Sequence, residues 1–517
     1  MFRSILTVGF WTLVSRVLGF LRDVLIADRL GAGMAADAFF VALKLPDLFR
    51  QLFGEGAFNA SFIPAFAGVL AAEGRKAARR FAEEVTSVMV IWLGALTVAG
   101  VVFMPELMVV LAPGFAAIPA KFTLAVRLTR ITFPYLMLVC LTAGFGGVLN
   151  GLHRFAAAAA APILFNLFAI AALLFLTPFV PSAGYSLAYG VTFSGIAQLV
   201  LLAWSMARAG MALRLLWPRL TPAVRLVMRR MGPGVIGVGV TQINVAVDTI
   251  VASLLKPGSV SVLYYANRVN QLPLGIIGVT VGTALLPVLS RQVRARAPLS
   301  AHRTLNRAIE FALVLTLPAA VGLAVLSVSI VRVLFERGAF TGSDVTATSA
   351  ALIAYAAGVP ATVLTKVLAP NFFARGDTRT PVLVGVAALL VNLVFIFTLM
   401  GPLGATGIAS AASISALFNA GMLATILVRR GLLRADRGLR SRMPRMLLAA
   451  AAMGVVLALA THWTPRATSE AAGVLRWVRL GLVIAAGVLA YGLVGQALAA
   501  FDLKEIARRL GRRRRRA

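Results

Sequence analysis

Acidic residues are scarce in this chain of 517 residues, which has 18 Asp and Glu against 50 Lys and Arg. Charged residues make up only 13% of it, whereas a soluble domain carries about a quarter. Hydrophobic residues make up 60%, and the mean hydropathy is +0.90. This balance excludes an ordinary soluble protein. It predicts an all-α polytopic membrane protein, because barrel strands would alternate polar and apolar residues.

Cysteine and histidine are rarer still. The single Cys140 cannot form an internal disulfide, and three histidines without a Cys/His cluster give no metal-site spacing. The sequence also lacks a Walker loop, a Gly-x-Ser-x-Gly elbow and an HExxH motif. These absences predict a protein that is not an enzyme and holds neither a metal nor a cofactor. Without an ATPase motor, transport would draw on Na⁺ or H⁺ coupling or on the membrane potential.

Long apolar stretches recur along the chain, and many approach the ~20 residues that a helix needs to cross the hydrocarbon core. The first of them carries arginines, so we expect it to remain as an anchor rather than to be cleaved as a signal. Reading between turn and charge signals, we predict fourteen transmembrane helices, near 5–30, 34–70, 84–111, 123–150, 158–180, 184–208, 224–255, 260–290, 307–335, 345–374, 381–400, 404–429, 446–462 and 475–500.

The connections between these helices alternate in charge. Two connections expected on the outer side, at 179–184 and 400–406, carry no charge. Basic loops mark the cytoplasmic side of a membrane protein, so both termini are predicted to be cytoplasmic. The Arg-rich tail is expected to meet anionic lipid rather than nucleic acid. The basic connections are 75–80, 208–230, 291–307 and 429–445.

Similar motifs recur at a nearly constant distance. Phe39 matches Tyr264 at an offset of 225, and Pro134 matches Pro360 at 226. This distance spans six helices, an even number, so the two copies are expected to be parallel around a central cavity, the usual geometry of alternating access. The predicted domains are an N-lobe of helices 1–6, a C-lobe of helices 7–12, two extra helices and a basic cytoplasmic tail, at 1–215, 216–431, 432–503 and 504–517.

Charges inside the predicted helices are candidates for function. Arginine presents a planar fork of donors that suits phosphate, so a cavity lined by arginines predicts an anionic substrate such as a phosphate or pyrophosphate. Internal pairing is about as good an interpretation for Asp23, Asp28, Arg29 and Asp47. Asp248 is a candidate for Na⁺ or H⁺ coupling, although a structural carboxylate fits equally well. The candidate substrate ligands are Arg16, Arg22, Arg50 and Arg268.

Six segments together resemble the MurJ (MviN) family, the lipid II flippases of the multidrug/oligosaccharidyl-lipid/polysaccharide exporter superfamily. They are SRVLGFLRD at 15–23, GAGMAADAFFVALKLPDLFRQLFGEGAF at 31–58, APGF at 112–115, ITFPY at 131–135, LYYANR at 263–268 and LPLGIIGV at 272–279.

The resemblance implies a fourteen-helix protein of the bacterial inner membrane that serves peptidoglycan synthesis. Its cargo would be undecaprenyl-pyrophosphate-linked disaccharide-pentapeptide, moved from the inner to the outer leaflet. The resemblance also implies that Arg16, Arg22, Arg50 and Arg268 line the cavity, and that Asp37 is functional. Asp248 resembles an aspartate that binds Na⁺ in some members, and Asp377 is a weaker candidate for ion coupling. Helices 13 and 14 would form a groove for the lipid tail.

Two departures and two alternatives remain. Asn267 and Gln271 stand where some relatives have acidic residues. Another exporter of the superfamily, either a polysaccharide-lipid flippase or an ion-coupled drug antiporter, is the main alternative function; a non-transporting scaffold of the cell-wall complex is the second. We expect a monomer surrounded by membrane lipids, with no nucleic-acid partner, and association with the cell-wall synthesis machinery remains open.

Overall fold

The computed structural model describes residues 2–51, 58–463 and 473–501, and it is built from α-helices. The predicted basic tail at 504–517 lies outside this part of the chain. The helices are α1 (Phe2–Leu30), α2 (Met34–Phe49), α3 (Asn59–Val102), α4 (Met104–Leu111), α5 (Pro119–Thr132), α6 (Tyr135–Gly151), α7 (Ala156–Ala171), α8 (Ala183–Arg208), α9 (Pro222–Ser253), α10 (Ser259–Arg294), α11 (Pro298–Val325), α12 (Ser327–Phe335), α13 (Gly342–Phe373), α14 (Arg379–Leu403), α15 (Ala405–Arg429), α16 (Arg437–Trp463) and α17 (Val474–Ala497).

Three predicted helices are each divided in the structure. The predicted helix at 123–150 is α5 followed by α6, because Pro134 stands between them and has no N–H to continue the ladder. The predicted helix at 84–111 ends as the separate α4, whose Pro105 occupies a first-turn position that tolerates proline. The predicted helix at 307–335 is α11 followed by α12.

Element boundaries repeat along the chain. Met104 begins α4 and Ser327 begins α12, which is 223 residues later. The same distance separates the beginnings of α5 and α13, and those of α7 and α14. The two halves therefore carry the same series of helices, as the motif offsets predict.

Ten helices in the described part of the chain are long and apolar enough to cross a membrane, so the protein is a multi-pass membrane protein. The predicted number of fourteen is not confirmed, because α1, α2, α9 and α10 are not among the ten. α1 alone carries five charged residues between Arg16 and Arg29. These four helices hold most of the candidate site residues.

Packing divides the chain into two compact units. Unit 1 comprises Met1–Ser261 with Arg337–Phe340, and unit 2 comprises Val262–Glu336 with Thr341–Ala517. The lobe boundary predicted at 215/216 follows the repeat and stays a prediction. In the structure, α9 lies beyond that boundary and packs against α3 inside unit 1.

Each unit has its own apolar core. In unit 1, Phe58, Phe62 and Phe66 stack along one face of α3. The connection 209–221 lies along the same helix, where Glu83 accepts a hydrogen bond from the Arg214 backbone N–H at 3.0 Å. In unit 2, the two helices beyond the repeat, α16 and α17, pack against each other and against α11.

Three chain segments meet tightly at one end of unit 1, and we call this contact the loop junction: the turn 31–33, the loop 254–258 and residues 337–340. The Ala339 backbone N–H donates to the Asp28 carbonyl at 2.8 Å. Gly31 has φ +63°, and a Cβ there would lie 2.3 Å from the Ala339 carbonyl oxygen. Gly258 has φ +96°, and its Cβ would lie 2.4 Å from the carbonyl oxygen of Ala32. The junction therefore requires glycine at both positions.

Gly31→Ala is expected to lower the melting temperature of the purified protein, because it adds both a left-handed strain of about 1–2 kcal/mol and a backbone clash. Gly33→Ala is the matched control, since a Cβ at Gly33 meets nothing within 4 Å and its φ is −126°. Thermal unfolding in detergent measures both. Equal melting temperatures for the two variants would contradict this account of the junction.

Candidate functional site

The Asp37 carboxylate is fully enclosed and accepts hydrogen bonds from three other residues. It lies in the first turn of α2 with no exposed surface. Its Oδ2 accepts from the Lys121 ammonium and from the Gly258 backbone N–H, both at 2.7 Å. Its Oδ1 accepts from the Ser261 backbone N–H at 2.8 Å and from the Ser261 hydroxyl at 2.6 Å. One side chain thus links α2, α5 and the loop that leads into α10.

Lys121 owes its position to the segment before α5. A short 3₁₀ helix, Pro113–Ala117, carries the APGF motif, and the Phe115 ring lies 4.0 Å below the Lys121 ammonium. Lys121 is only 2% exposed. Its ammonium has lost most of its water, and the ion pair with Asp37 and the Phe115 ring compensate for this loss. The Gly114 N–H also donates to the Ser253 hydroxyl at 3.2 Å, which holds the same segment against the end of α9.

Arg22 lies buried between α1 and α7. Its Nε and Nη2 donate to Oδ1 of the adjacent Asp23 at 3.0 and 2.6 Å, and its Nη1 donates to the Asn166 side-chain oxygen at 3.1 Å. The guanidinium also lies 5.1 Å from the Phe165 ring centre. Asn166 in turn donates to the Ser15 carbonyl at 2.9 Å. Arg22 is therefore paired in this conformation, and Asp23 balances it.

Arg50 forms the second paired site, where α2 gives way to a π-type turn. Its Nε and Nη2 donate to Asp47 at 3.1 and 2.6 Å, and Gln51 donates to the other oxygen of that carboxylate at 2.9 Å. The Gln242 amide of α9 donates to the Gln51 side-chain oxygen at 2.6 Å. This chain of contacts ties the end of α2 to α9.

Asp248, the coupling candidate on α9, is half-buried and lies within electrostatic reach of Lys44 on α2, as does Asp47. Unit 1 therefore brings the coupling candidate and the α2 charges into one region. No group of three or more His, Cys, Asp or Glu side chains in the described part of the chain is arranged to hold a metal ion.

Arg16 differs from Arg22 and Arg50, which are both paired with carboxylates. It is exposed in the middle of α1, between the exposed apolar side chains of Leu13 and Val17. No described carboxylate pairs with it. Arg268, the fourth candidate ligand, is half-buried on α10 and belongs to unit 2.

Asp377 occupies the connection between α13 and α14. Its Oδ1 accepts from the Thr380 backbone N–H at 2.9 Å, and its Oδ2 accepts from the Thr380 hydroxyl and from Arg430 at 2.7 and 2.6 Å. The Thr380 backbone N–H, followed by the side chains of Arg430 and Thr380, lowers the pKa of Asp377 to about 2. The carboxylate therefore stays ionised at neutral pH, which argues against a proton carrier in this conformation.

Sequence reasoning missed the partners of these charges. Lys121 and Ser261 lie 84 and 224 positions from Asp37, and their side chains meet only after folding. Asn166 lies 144 positions from Arg22, and its contact with that guanidinium joins α7 to α1. The APGF motif before Lys121 was the one local signal for the Asp37 site.

Comparison with solved structures first identifies the fold. The structure matches that of "Inward-facing conformation of a multidrug resistance MATE family transporter of the MOP superfamily" with a TM-score of 0.67, covering 81% of this chain and 95% of that one at 16% identity. The protein thus shares the all-helical fold of that structure.

The family follows from the full-length comparisons. The family model "Lipid II flippase MurJ" matches residues 26–476. A "Probable lipid II flippase MurJ" of Rhizobium meliloti (strain 1021) is 42% identical over 98% of this chain and 95% of its own length. A "Lipid II flippase MurJ" of Burkholderia cenocepacia (strain J2315) is 32% identical over 90% of both. The solved structure "Lipid II flippase MurJ, inward closed conformation" matches with a TM-score of 0.79 at 26% identity, covering 95% of this chain and 98% of that one. The chain belongs to the MurJ family.

Lys121→Met is expected to destabilise the protein by about 3–5 kcal/mol, because it leaves the Asp37 carboxylate buried without its cation. The double variant Asp37→Asn/Lys121→Met is expected to lose less than the sum of the single variants, with a coupling of about 1–3 kcal/mol. Chemical unfolding in detergent measures all three.

Lys76→Met is the matched control, since Lys76 is exposed on α3. It should change the free energy of unfolding by at most about 0.5 kcal/mol. Strict additivity of the Asp37 and Lys121 substitutions would refute the pairing.

Proposed function

We propose that this protein is a lipid II flippase. It moves undecaprenyl-pyrophosphate-linked disaccharide-pentapeptide from the inner to the outer leaflet of the bacterial inner membrane, by alternating access. Support comes from membership of the family along almost the whole chain and from arginines within the first two helices. The ligand in this proposal is the pyrophosphate, which carries the charge of the lipid.

The observation that carries the proposal is the exposed Arg16. An arginine in the middle of an apolar membrane helix is costly unless it faces water or an anion. Leu13 and Val17 surround it with apolar surface. A guanidinium fork without a described carboxylate partner is suited to a phosphate oxygen pair. Arg16 is therefore the first contact that we propose for the pyrophosphate.

Arg22, Arg50 and Arg268 are the further ligands in this proposal. The first two are engaged with Asp23 and Asp47, so the pyrophosphate would compete with these carboxylates. Such competition provides the differential binding between two conformations that a substrate needs in order to shift their populations. Asp37 takes part by holding the loop junction closed rather than by touching the anion, since its carboxylate is fully enclosed.

Ion coupling is proposed to run through Asp248, beside Lys44. A change in the charge or ligation of Asp248 alters the field at the end of α2, where Asp47 and Arg50 pair. Na⁺, H⁺ or the membrane potential could supply the free energy. Asp377 contributes to the same proposal only as an ionised group.

Orientation and partners complete the proposal. The basic connections lie on the cytoplasmic side, which places both termini there. The protein acts as a monomer among membrane lipids, carries no cofactor and performs no catalysis. The fold alone fits another exporter of the superfamily, so the measurement below uses lipid II itself.

Replacing Arg16 by Gln is expected to slow flipping of fluorescent lipid II in proteoliposomes by about 10–100-fold, since a charge-assisted hydrogen bond contributes about 1.5–3 kcal/mol. Arg16→Lys should restore part of the rate, because the charge remains although the fork is lost. Arg225→Gln, which removes an exposed arginine from α9, should leave the rate within about twofold. A normal rate for Arg16→Gln in well-inserted protein would contradict the proposal.

A further inference from the structure

A cavity of about 380 Å³ opens in unit 1, away from the paired arginines of the candidate site. It lies where α6 ends, α7 begins and α8 ends. None of the described lining residues is acidic. The lining includes three basic side chains, an indole and a hydroxyl, which belong to His153, Arg154, Arg208, Trp204 and Ser205.

The positive charge of this cavity is not compensated within the described part of the chain. The Arg208 guanidinium lies 4.1 Å from the Trp204 ring centre, and neither Arg208 nor Arg154 has a described carboxylate partner. α7 begins at the cavity with Ala156 and Ala157, and its first turn has neither an acidic residue nor a capping side chain. The positive end of its helix dipole adds to the two guanidinium charges.

The second copy of the repeat offers an internal comparison. There Arg430, which directly follows α15, donates at 2.6 Å to Asp377, which lies two residues before α14. Arg208 ends α8 in the first copy as Arg429 ends α15 in the second. Arg154 lies two residues before the start of α7, as Asp377 lies two residues before the start of α14. At this corner, one arginine of the second copy is therefore paired with a carboxylate, whereas Arg154 and Arg208 of the first copy have no described carboxylate partner.

The surface that leads to the cavity is apolar and exposed. Ile196, Val200 and Trp204 recur every fourth residue along α8 and end at Arg208. Residues four apart lie on one face of a helix, so the three form a stripe toward the hydrocarbon. An indole followed by an arginine at the end of such a stripe is typical of the membrane–water interface. Arg75 donates to the Ala209 carbonyl at 2.5 Å, so the cavity lies on the side of the basic connections.

We propose that this cavity binds the phosphate of an anionic phospholipid from the leaflet on the basic side, with an acyl chain along the stripe of α8. Arg154 and Arg208 bind the phosphate oxygens, and the first N–H groups of α7 complete the site. On the orientation proposed above, that leaflet is the cytoplasmic one, whose anionic lipids attract basic groups. The site is separate from Arg16 and does not depend on the identity of the transported lipid.

The double variant Arg154→Gln/Arg208→Gln is expected to bind dioleoylphosphatidylglycerol about thirtyfold more weakly, since each basic residue near a lipid surface contributes about 1 kcal/mol. Native mass spectrometry of the full chain, titrated with this lipid in detergent, measures the affinity. Arg225→Gln/Arg229→Gln removes two exposed arginines of α9 and is the matched control, with an expected change of less than about threefold.

A second variant keeps both arginines. Ala156→Asp places a carboxylate near the position that Asp377 holds in the other copy, and it favours the N-terminus of α7, so folding is retained. It is expected to weaken lipid binding as strongly as the double variant, whereas the neutral Ala156→Asn is not. If both cavity variants bind phosphatidylglycerol as tightly as the unaltered protein, the proposal is wrong.

Two further probes separate the possible ligands. Dioleoylphosphatidylcholine, with the same acyl chains and no net charge, is expected to bind at least about tenfold more weakly. Millimolar inorganic phosphate is expected not to displace phosphatidylglycerol, because it cannot use the apolar stripe. Displacement by phosphate, or equal binding of the two lipids, would overturn the assignment to an anionic lipid.

Discussion

The rest of unit 1 depends on one buried carboxylate. Asp37 has no exposed surface and accepts four hydrogen bonds, from Lys121, Gly258 and Ser261. A buried ion pair contributes little net stability, but removing one partner is costly, so it specifies which segments must stay together. Here it fixes α2, α5 and the beginning of α10 beside the loop junction. Opening this end of the molecule requires either that these hydrogen bonds break or that the three segments move as one body.

The first two helices of the first copy carry more charged residues than the corresponding helices of the second copy. Unit 1 pairs Arg22 with Asp23 and Arg50 with Asp47, while Arg16 stays exposed. Pairing with carboxylates lowers the desolvation cost of these arginines in a membrane protein. α1, which holds Arg16, Arg22 and Asp23, carries five charged residues between Arg16 and Arg29.

More of the fold than of the candidate site could be predicted from the sequence. Composition and the 225–226-residue offset predict a polytopic membrane protein with two equivalent series of helices, and the starts of α4 and α12 confirm the repeat. The sequence left internal pairing open for Asp23, and the structure shows that its carboxylate accepts from the adjacent Arg22. Lys121 escaped prediction since its partner is 84 residues away and nothing local marks a buried lysine. The division of the predicted helix at 123–150 follows from Pro134, whose missing N–H interrupts the helix and is visible in the sequence.

The central proposal is transport of lipid II by alternating access, and it requires the loop junction to separate in each transport cycle. The backbone bond between Ala339 and Asp28 brings these residues close enough for an engineered disulfide. The measurement is flipping of fluorescent lipid II by Asp28→Cys/Ala339→Cys in a background where the native Cys140 is replaced by Ala, before and after reduction. The account predicts that the oxidised protein does not flip lipid II and that reductant restores the rate of the single-cysteine controls. Undiminished flipping by fully cross-linked protein would contradict it.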